Sequence, residues 1–136
     1  MAHALLNYDG LCRNIHGHSY ILYVTVIGQP NEDIKDPKCG MVMDFGDLKS
    51  IVSKEIVDVL DHSIVLNNKI PDKDQLNISQ MFDRMYFVDY QPTCENMIAD
   101  FAQRIIKHLP NSIDLYSLKL HETASSFAEW YAVDNQ

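Results

Sequence analysis

The sequence predicts an α+β fold in which strand, helix, helix, strand, strand follow in that order. Three observations carry the prediction. A β-branched and aromatic run, YILYVTVIG, occupies residues 20 to 28. Two segments, about 45 to 60 and 93 to 109, repeat their apolar residues at helical spacing. Two further runs, DLYSLKLHE at 114 to 122 and SSFAEWYAV at 125 to 133, read as paired strands. The 136 residues suit one domain spanning 1 to 136, which can bury a core without covalent staples.

The run at 20 to 28 ends at Gly28-Gln29-Pro30-Asn31, and its apolar continuity predicts a strand mostly buried on both faces. Residues 31 to 39 are a polar loop and GMVMD, 40 to 44, is a short extended entry. In the first helix Leu48, Ile51, Val52, Ile56, Val59 and Leu60 form one stripe, with Asp44 or Gly46 to open it. PTCEN, 92 to 96, starts the second helix: Thr93 caps, Glu95 sits in the first turn, and Ile98, Phe101, Ala102, Ile105 and Leu109 face the core. Pro110-Asn111 stops it. The last two strands form a hairpin with Glu122 at its turn end. Residues 67 to 91 keep no period; they predict a long excursion with a helical turn at 78 to 86, either functional or decorative.

Composition removes several function classes. A formal net charge of −8 argues against a nucleic-acid partner, whose phosphates need a basic face. No stretch approaches the roughly 18 to 20 apolar residues of a membrane span, and no signal-peptide core opens the chain, so a cytoplasmic protein is expected. The three cysteines are odd in number and lack CxxC spacing, which suits reduced thiols. Cys39 and Cys94 read as small buried hydrophobes. Cys12 stands apart because of its neighbours.

Those neighbours are the rest of CRNIHGHSY, 12 to 20. On extended chain His16 and His18, two apart, project from one face, and Gly17 between them lets the backbone bend. Two imidazoles on one face suit zinc, bound at about 2.0–2.1 Å, although a lone His-x-His is also common among surface histidines. His3, in MAHALL, can add a third imidazole from a neighbouring strand. Three histidines leave a fourth zinc position open, as in catalytic sites. A thiol beside such a cluster, Cys12, can act as base or nucleophile. Asp61-His62, ending the first helix, is either an oriented base or a histidine meeting the last helical carbonyls. Glu122 either grips a donor-rich heterocycle or is a solvated turn residue.

The order of these blocks is more specific than any one of them. Cys-x3-His-Gly-His, GMVMDF, LDH, PTCEN and ET, in sequence, closely resemble the 6-pyruvoyl-tetrahydropterin synthase superfamily over nearly the whole chain, residues 68 to 90 being the weakest part. The three residues between Cys12 and His16 resemble the bacterial 6-carboxy-5,6,7,8-tetrahydropterin synthases of queuosine biosynthesis; the pyruvoyl-forming enzymes typically have a longer gap.

The resemblance implies a T-fold: an antiparallel four-stranded sheet with two helices on one face, ββααββ, assembled as trimers or dimers of trimers with active sites between subunits. The family's first strand ends about where this chain begins, so the first strand is expected to be truncated and a sheet edge left unpaired. The implied reaction converts 7,8-dihydroneopterin triphosphate to 6-carboxytetrahydropterin, acetaldehyde and triphosphate. His3, His16 and His18 would hold zinc. Cys12 would be the base, Asp61 and His62 the second proton-transfer element, and Glu122 the catalytic-site anchor of the pterin, with Thr93 and Glu95 also contacting it. Arg13 would meet the triphosphate. A pyruvoyl-forming enzyme and a non-catalytic zinc- and pterin-binding relative remain open at this level.

Overall fold

The computed structural model describes residues 1–135. In chain order the elements are β1 (Ala2–His3), β2 (His16–Gly17), β3 (Ile21–Gly28), α1 (Phe45–Val52), α2 (Asp58–Leu60), β4 (Ile64–Asn67), α3 (Asp72–Met81), β5 (Met85–Val88), α4 (Cys94–Ile106), β6 (Ile113–His121) and β7 (Phe127–Tyr131). The α+β class stands, but the sheet differs from the expected antiparallel four-stranded one. The long strands make a three-stranded antiparallel sheet, β3-β6-β7. A second, mixed sheet runs β2-β1-β4-β5, with β4 parallel to both β1 and β5. β1, two residues long, pairs with β2 and β4 and not with β3.

The core lies between α4 and the three-stranded sheet. Met97, Ile98, Phe101, Ala102 and Ile105 of α4 pack on Leu115, Leu118 and Leu120 of β6 and Ala128 and Trp130 of β7. Helical spacing on one side and alternation on the other bring two apolar faces together, each fully buried large side chain contributing about 1.5–3 kcal/mol. Thr93 caps α4, its hydroxyl accepting from Asn96 N. Asp44, not Gly46, caps α1 by accepting from Gly46 N at 2.6 Å.

β3 departs from its expected burial. Its residues alternate, and Ile21, Tyr23 and Ile27 are more than half exposed. The reason is one-sided packing: β3 pairs only with β6, and helices cover a single face of this sheet. The outer face carries Ile21, Tyr23 and Ile27 together with His121, Phe127 and Tyr131.

The first helix continues from α1 to α2 through a π turn, Ser53–Val57. A π turn leaves a carbonyl without its usual i+4 partner. Here the Glu55 carbonyl accepts from the Arg104 guanidinium at 3.3 Å. Arg84 donates to the carbonyls of Asp58 and Val59 at the helix end, a cationic cap that holds the chain just before Asp61.

Residues 67 to 91 are more ordered than expected. They contain the end of β4, all of α3 and β5, so the helix lies at 72 to 81 and not at 78 to 86. Pro71 at the N-cap and Asp72 and Asp74 in the first turn were the available signals. β4 and β5 are four residues each, too short for periodicity to declare them. At the C-terminus β7 stops at Tyr131, and Ala132–Asp134 form a 3-10 turn.

All three cysteines are free. Cys94 is buried at the start of α4, where its thiol donates to Leu120 O at 3.2 Å. Burial pushes this thiol up to about 11, and burial also raises Tyr90, whose hydroxyl donates to Asp100 at 2.7 Å. Both groups keep their protons longer in the folded than in the unfolded chain. Above about pH 9 the unfolded state therefore binds fewer protons, and stability falls as pH rises towards 11. The urea midpoint is expected to drop across that window; a constant midpoint would remove these groups as the cause.

Candidate active site

The pairing of β1 with β2 sets His3 directly opposite His16. His18 follows two residues on and shares the face. The ring centroids lie 4.5 Å apart for His3 and His16, 5.5 Å for His3 and His18, and 5.0 Å for His16 and His18. One nitrogen from each ring lies within 4.8 Å of the others. The sheet thus gathers three imidazoles from two segments of chain.

The hydrogen bonds decide which nitrogens face inward. His3 Nδ1 lies 2.6 Å from Pro92 O and His16 Nδ1 lies 2.8 Å from Asn14 O. A carbonyl only accepts, so both Nδ1 atoms carry the proton and both Nε2 atoms present lone pairs. His3 is 2% exposed. Its burial lowers its pKa, against the opposing pull of the Pro92 carbonyl, and so favours the neutral, ligand-competent ring. Bare Nε2 lone pairs from oriented neutral imidazoles are the donor set that a borderline cation such as zinc takes, and these residues fit it.

Glu122 follows β6, its N–H donating to Ser126 O across the hairpin turn. The side chain turns towards the histidines, with Oε1 3.2 Å from His3 Nε2 and 3.5 Å from His18 Nε2. Glu122 is therefore not a solvated turn residue. Tyr20 holds it there, donating from its hydroxyl to Oε1 at 3.1 Å. Burial first, then the Glu122 charge and hydrogen bond, with lesser contributions from Cys94 and Cys12, raise the Tyr20 pKa and keep it a donor. The Tyr20 ring also meets His3 and His18 edge-on. Sequence reasoning passed over Tyr20, although the period of two that groups His16 with His18 puts Tyr20 next on that face.

Cys12 lies half-buried in a 3-10 turn, Leu11–Arg13. Its carbonyl accepts from Leu5 N at 2.8 Å, which ties the turn to the segment leaving β1. Asp61 and His62 form a pair, Oδ2 to Nδ1 3.0 Å, both well exposed. His62 sits at φ 56°, a left-handed conformation that ends the helix and turns the imidazole out. With Met1, His18 and Tyr20 this pair lines a cavity of about 530 Å³. The fold thus brings Asp61 and His62 to the same cavity as His18. Thr93 and Glu95 stand beside Pro92, whose carbonyl orients His3. Arg13 lies elsewhere: it is exposed and lines a separate cavity of about 460 Å³ with Tyr8, Asn67 and Ile78.

The chain is similar to known proteins along most of its length. A family model described as 6-pyruvoyl tetrahydropterin synthase matches residues 1–132. A Haemophilus influenzae protein named 6-carboxy-5,6,7,8-tetrahydropterin synthase is 36% identical over 96% of this chain and 91% of its own. A 6-pyruvoyl tetrahydrobiopterin synthase from Pongo abelii is 35% identical over 84% of this chain and 66% of its own. The structure of Caenorhabditis elegans 6-pyruvoyl tetrahydropterin synthase superposes with a TM-score of 0.64 at 24% identity, covering 96% of this chain and 87% of that one, a likeness of T-fold architecture.

Proposed function

The chain belongs to the 6-pyruvoyl tetrahydropterin synthase family, and on that premise we propose that it is a zinc-dependent 6-carboxy-5,6,7,8-tetrahydropterin synthase, a carbon–carbon lyase of queuosine precursor biosynthesis. The single observation carrying the reading is the cluster of His3, His16 and His18 with Glu122 against it, its His18 sharing a cavity with the Asp61–His62 pair. The substrate would be 7,8-dihydroneopterin triphosphate and the products 6-carboxytetrahydropterin, acetaldehyde and triphosphate. The short Cys12-to-His16 spacing and the fuller coverage by the carboxy-forming relative both support this product over the pyruvoyl one.

His3, His16 and His18 would hold the zinc, which when bound supplies Lewis acidity towards the substrate's side-chain hydroxyls. Cys12 Sγ would remove and return protons on one face of the substrate. His62, its Nδ1 oriented by Asp61, would move protons through Nε2 on the other. Each such transfer contributes typically about 10²–10⁴-fold. Glu122 would accept from the pterin's ring N–H and amino group, a two-point contact that orients the ring. Thr93 and Glu95, at the helix start beside His3, would line the pterin's edge. Arg13 would meet the triphosphate, its separate cavity requiring the chain of phosphates to reach away from the metal.

The exposed outer face of the three-stranded sheet and the free edge of β3 support assembly into trimers or dimers of trimers. Zinc-quantified protein incubated with 7,8-dihydroneopterin triphosphate is expected to release acetaldehyde and 6-carboxytetrahydropterin, identified by mass, and to sediment at a multiple of 15.6 kDa. Formation of 6-pyruvoyl-tetrahydropterin would move the chain to the other branch of the family; pterin binding without turnover would make it a binding protein.

A further inference from the structure

β1 is 2 residues long, so strand pairing alone gives His3 little support. What orients its ring is the bond from Nδ1 to Pro92 O, 2.6 Å long and 89 positions away in the loop before α4. That bond aims Nε2 only while the loop and the chain leaving β1 keep their spacing. The side chain next to Pro92 fixes the spacing. Gln91 Nε2 donates to Leu6 O at 2.8 Å, and Gln91 Oε1 accepts from Leu6 N at 3.0 Å. The planar amide thus pairs with both backbone groups of one residue, as a neighbouring strand would. One donor and one acceptor in fixed places also leave the amide a single orientation. The main chain of Gln91 is tied in the other direction. Its carbonyl accepts from Thr93 N at 2.7 Å and from Asn96 Nδ2 at 2.9 Å, in the cap and first turn of α4. Pro92 itself is fully buried, and its ring fixes φ. The His3–Pro92 contact is therefore bracketed: Leu6, just after His3, is clamped to Gln91, just before Pro92.

From this geometry we infer that Gln91 is a positioning residue of the metal centre. Its amide locks the chain leaving β1 to the loop that carries the Pro92 carbonyl, and through that carbonyl it keeps His3 Nε2 aimed at the cation. The inference rests on the metal-centre reading above and adds to it a residue that touches none of the ligand atoms. An oriented ring binds without reorganising, so loosening the clamp weakens the metal although all three histidines remain.

Cobalt(II) titration of the full chain, with affinity read against a competing chelator, tests the assignment without any turnover. Wild-type protein is expected to bind about one Co²⁺ per chain. Gln91→Glu keeps the size and the acceptor for Leu6 N but sets a carboxylate oxygen with no proton against Leu6 O. It is expected to weaken Co²⁺ binding about tenfold, the lower end of the 10- to 100-fold carried by outer-shell partners, because Gln91 acts through Pro92. Ile105→Val, which loosens the core on α4, is the control for general destabilisation. It should lower the urea midpoint and leave the affinity unchanged. Gln91→Met, of similar length but without the polar pair, replaces the Glu variant if circular dichroism finds that variant unfolded, and should lose affinity likewise. Wild-type affinity in a folded Gln91 variant, or an equal loss in Ile105→Val, would overturn the positioning role and leave the three-histidine centre standing. If neither Gln91 variant folds, Gln91 is a determinant of the fold and the assignment falls. Failure of the wild type to bind Co²⁺ or Zn²⁺ would overturn the metal reading itself, and this assignment with it.

Discussion

Replacing Cys12 with alanine is expected to lower turnover of 7,8-dihydroneopterin triphosphate by at least about 10²-fold, towards 10⁴-fold, while the protein keeps its full complement of metal. The range is what a positioned acid–base group typically supplies. The substitution removes only Sγ. The 3-10 turn that carries residue 12 is closed by backbone bonds, Arg13 N to Gly10 O and Asn14 N to Leu11 O, and is tied to Leu5 by the carbonyl of residue 12. Alanine keeps all of these, and Cys12 is not among the clustered histidines. Turnover and metal content should therefore separate. Near wild-type turnover would remove Cys12 as the base, and loss of metal along with turnover would make it a structural support of the centre.

His16→Ala should behave in the opposite way and lose the metal. His16 is the register partner of His3, and its Nδ1–H is fixed on Asn14 O, so its Nε2 needs no reorganisation to meet a cation. Losing a ligand oriented in that way should cost more than the about 10- to 100-fold that outer-shell partners are worth. Elemental analysis after dialysis is expected to find little zinc in the variant and about one equivalent in the wild type. Activity falls with it, since no carboxylate or thiol in the cluster supplies Lewis acidity. Full zinc occupancy in a folded His16→Ala protein would exclude His16 from the ligand set.

Local pattern explains what could be read without coordinates. Strand β3, the first helix, α4 and the β6–β7 hairpin each bury an apolar stripe longer than one turn or pleat, and periodicity reports such stripes directly. The histidines of HGH share a face because a strand alternates, and Thr93 caps α4 because the chemistry of a helix start is local. The ordered blocks from CRNIHGHSY to Glu122-Thr123 carried the family.

Other features depend on segments far apart in the chain, and no local signal encodes them. β4 and β5 are too short to show a period, and they exist because β1 supplies a parallel neighbour. The expected buried strand at 20 to 28 proved half-exposed, because apolar composition records that a face will be covered but not by what. Tyr20 reaches Glu122 across 102 positions, and Pro92 orients His3 across 89. By itself, then, the sequence determined the types of the longer elements, the identity of the three imidazoles and the family. The tertiary structure alone decided which imidazole nitrogens face inward, which carboxylate meets them and why Arg13 stands apart. Secondary structure is set by neighbours a few residues away, whereas the site is assembled from groups that only the packed chain brings within hydrogen-bonding distance.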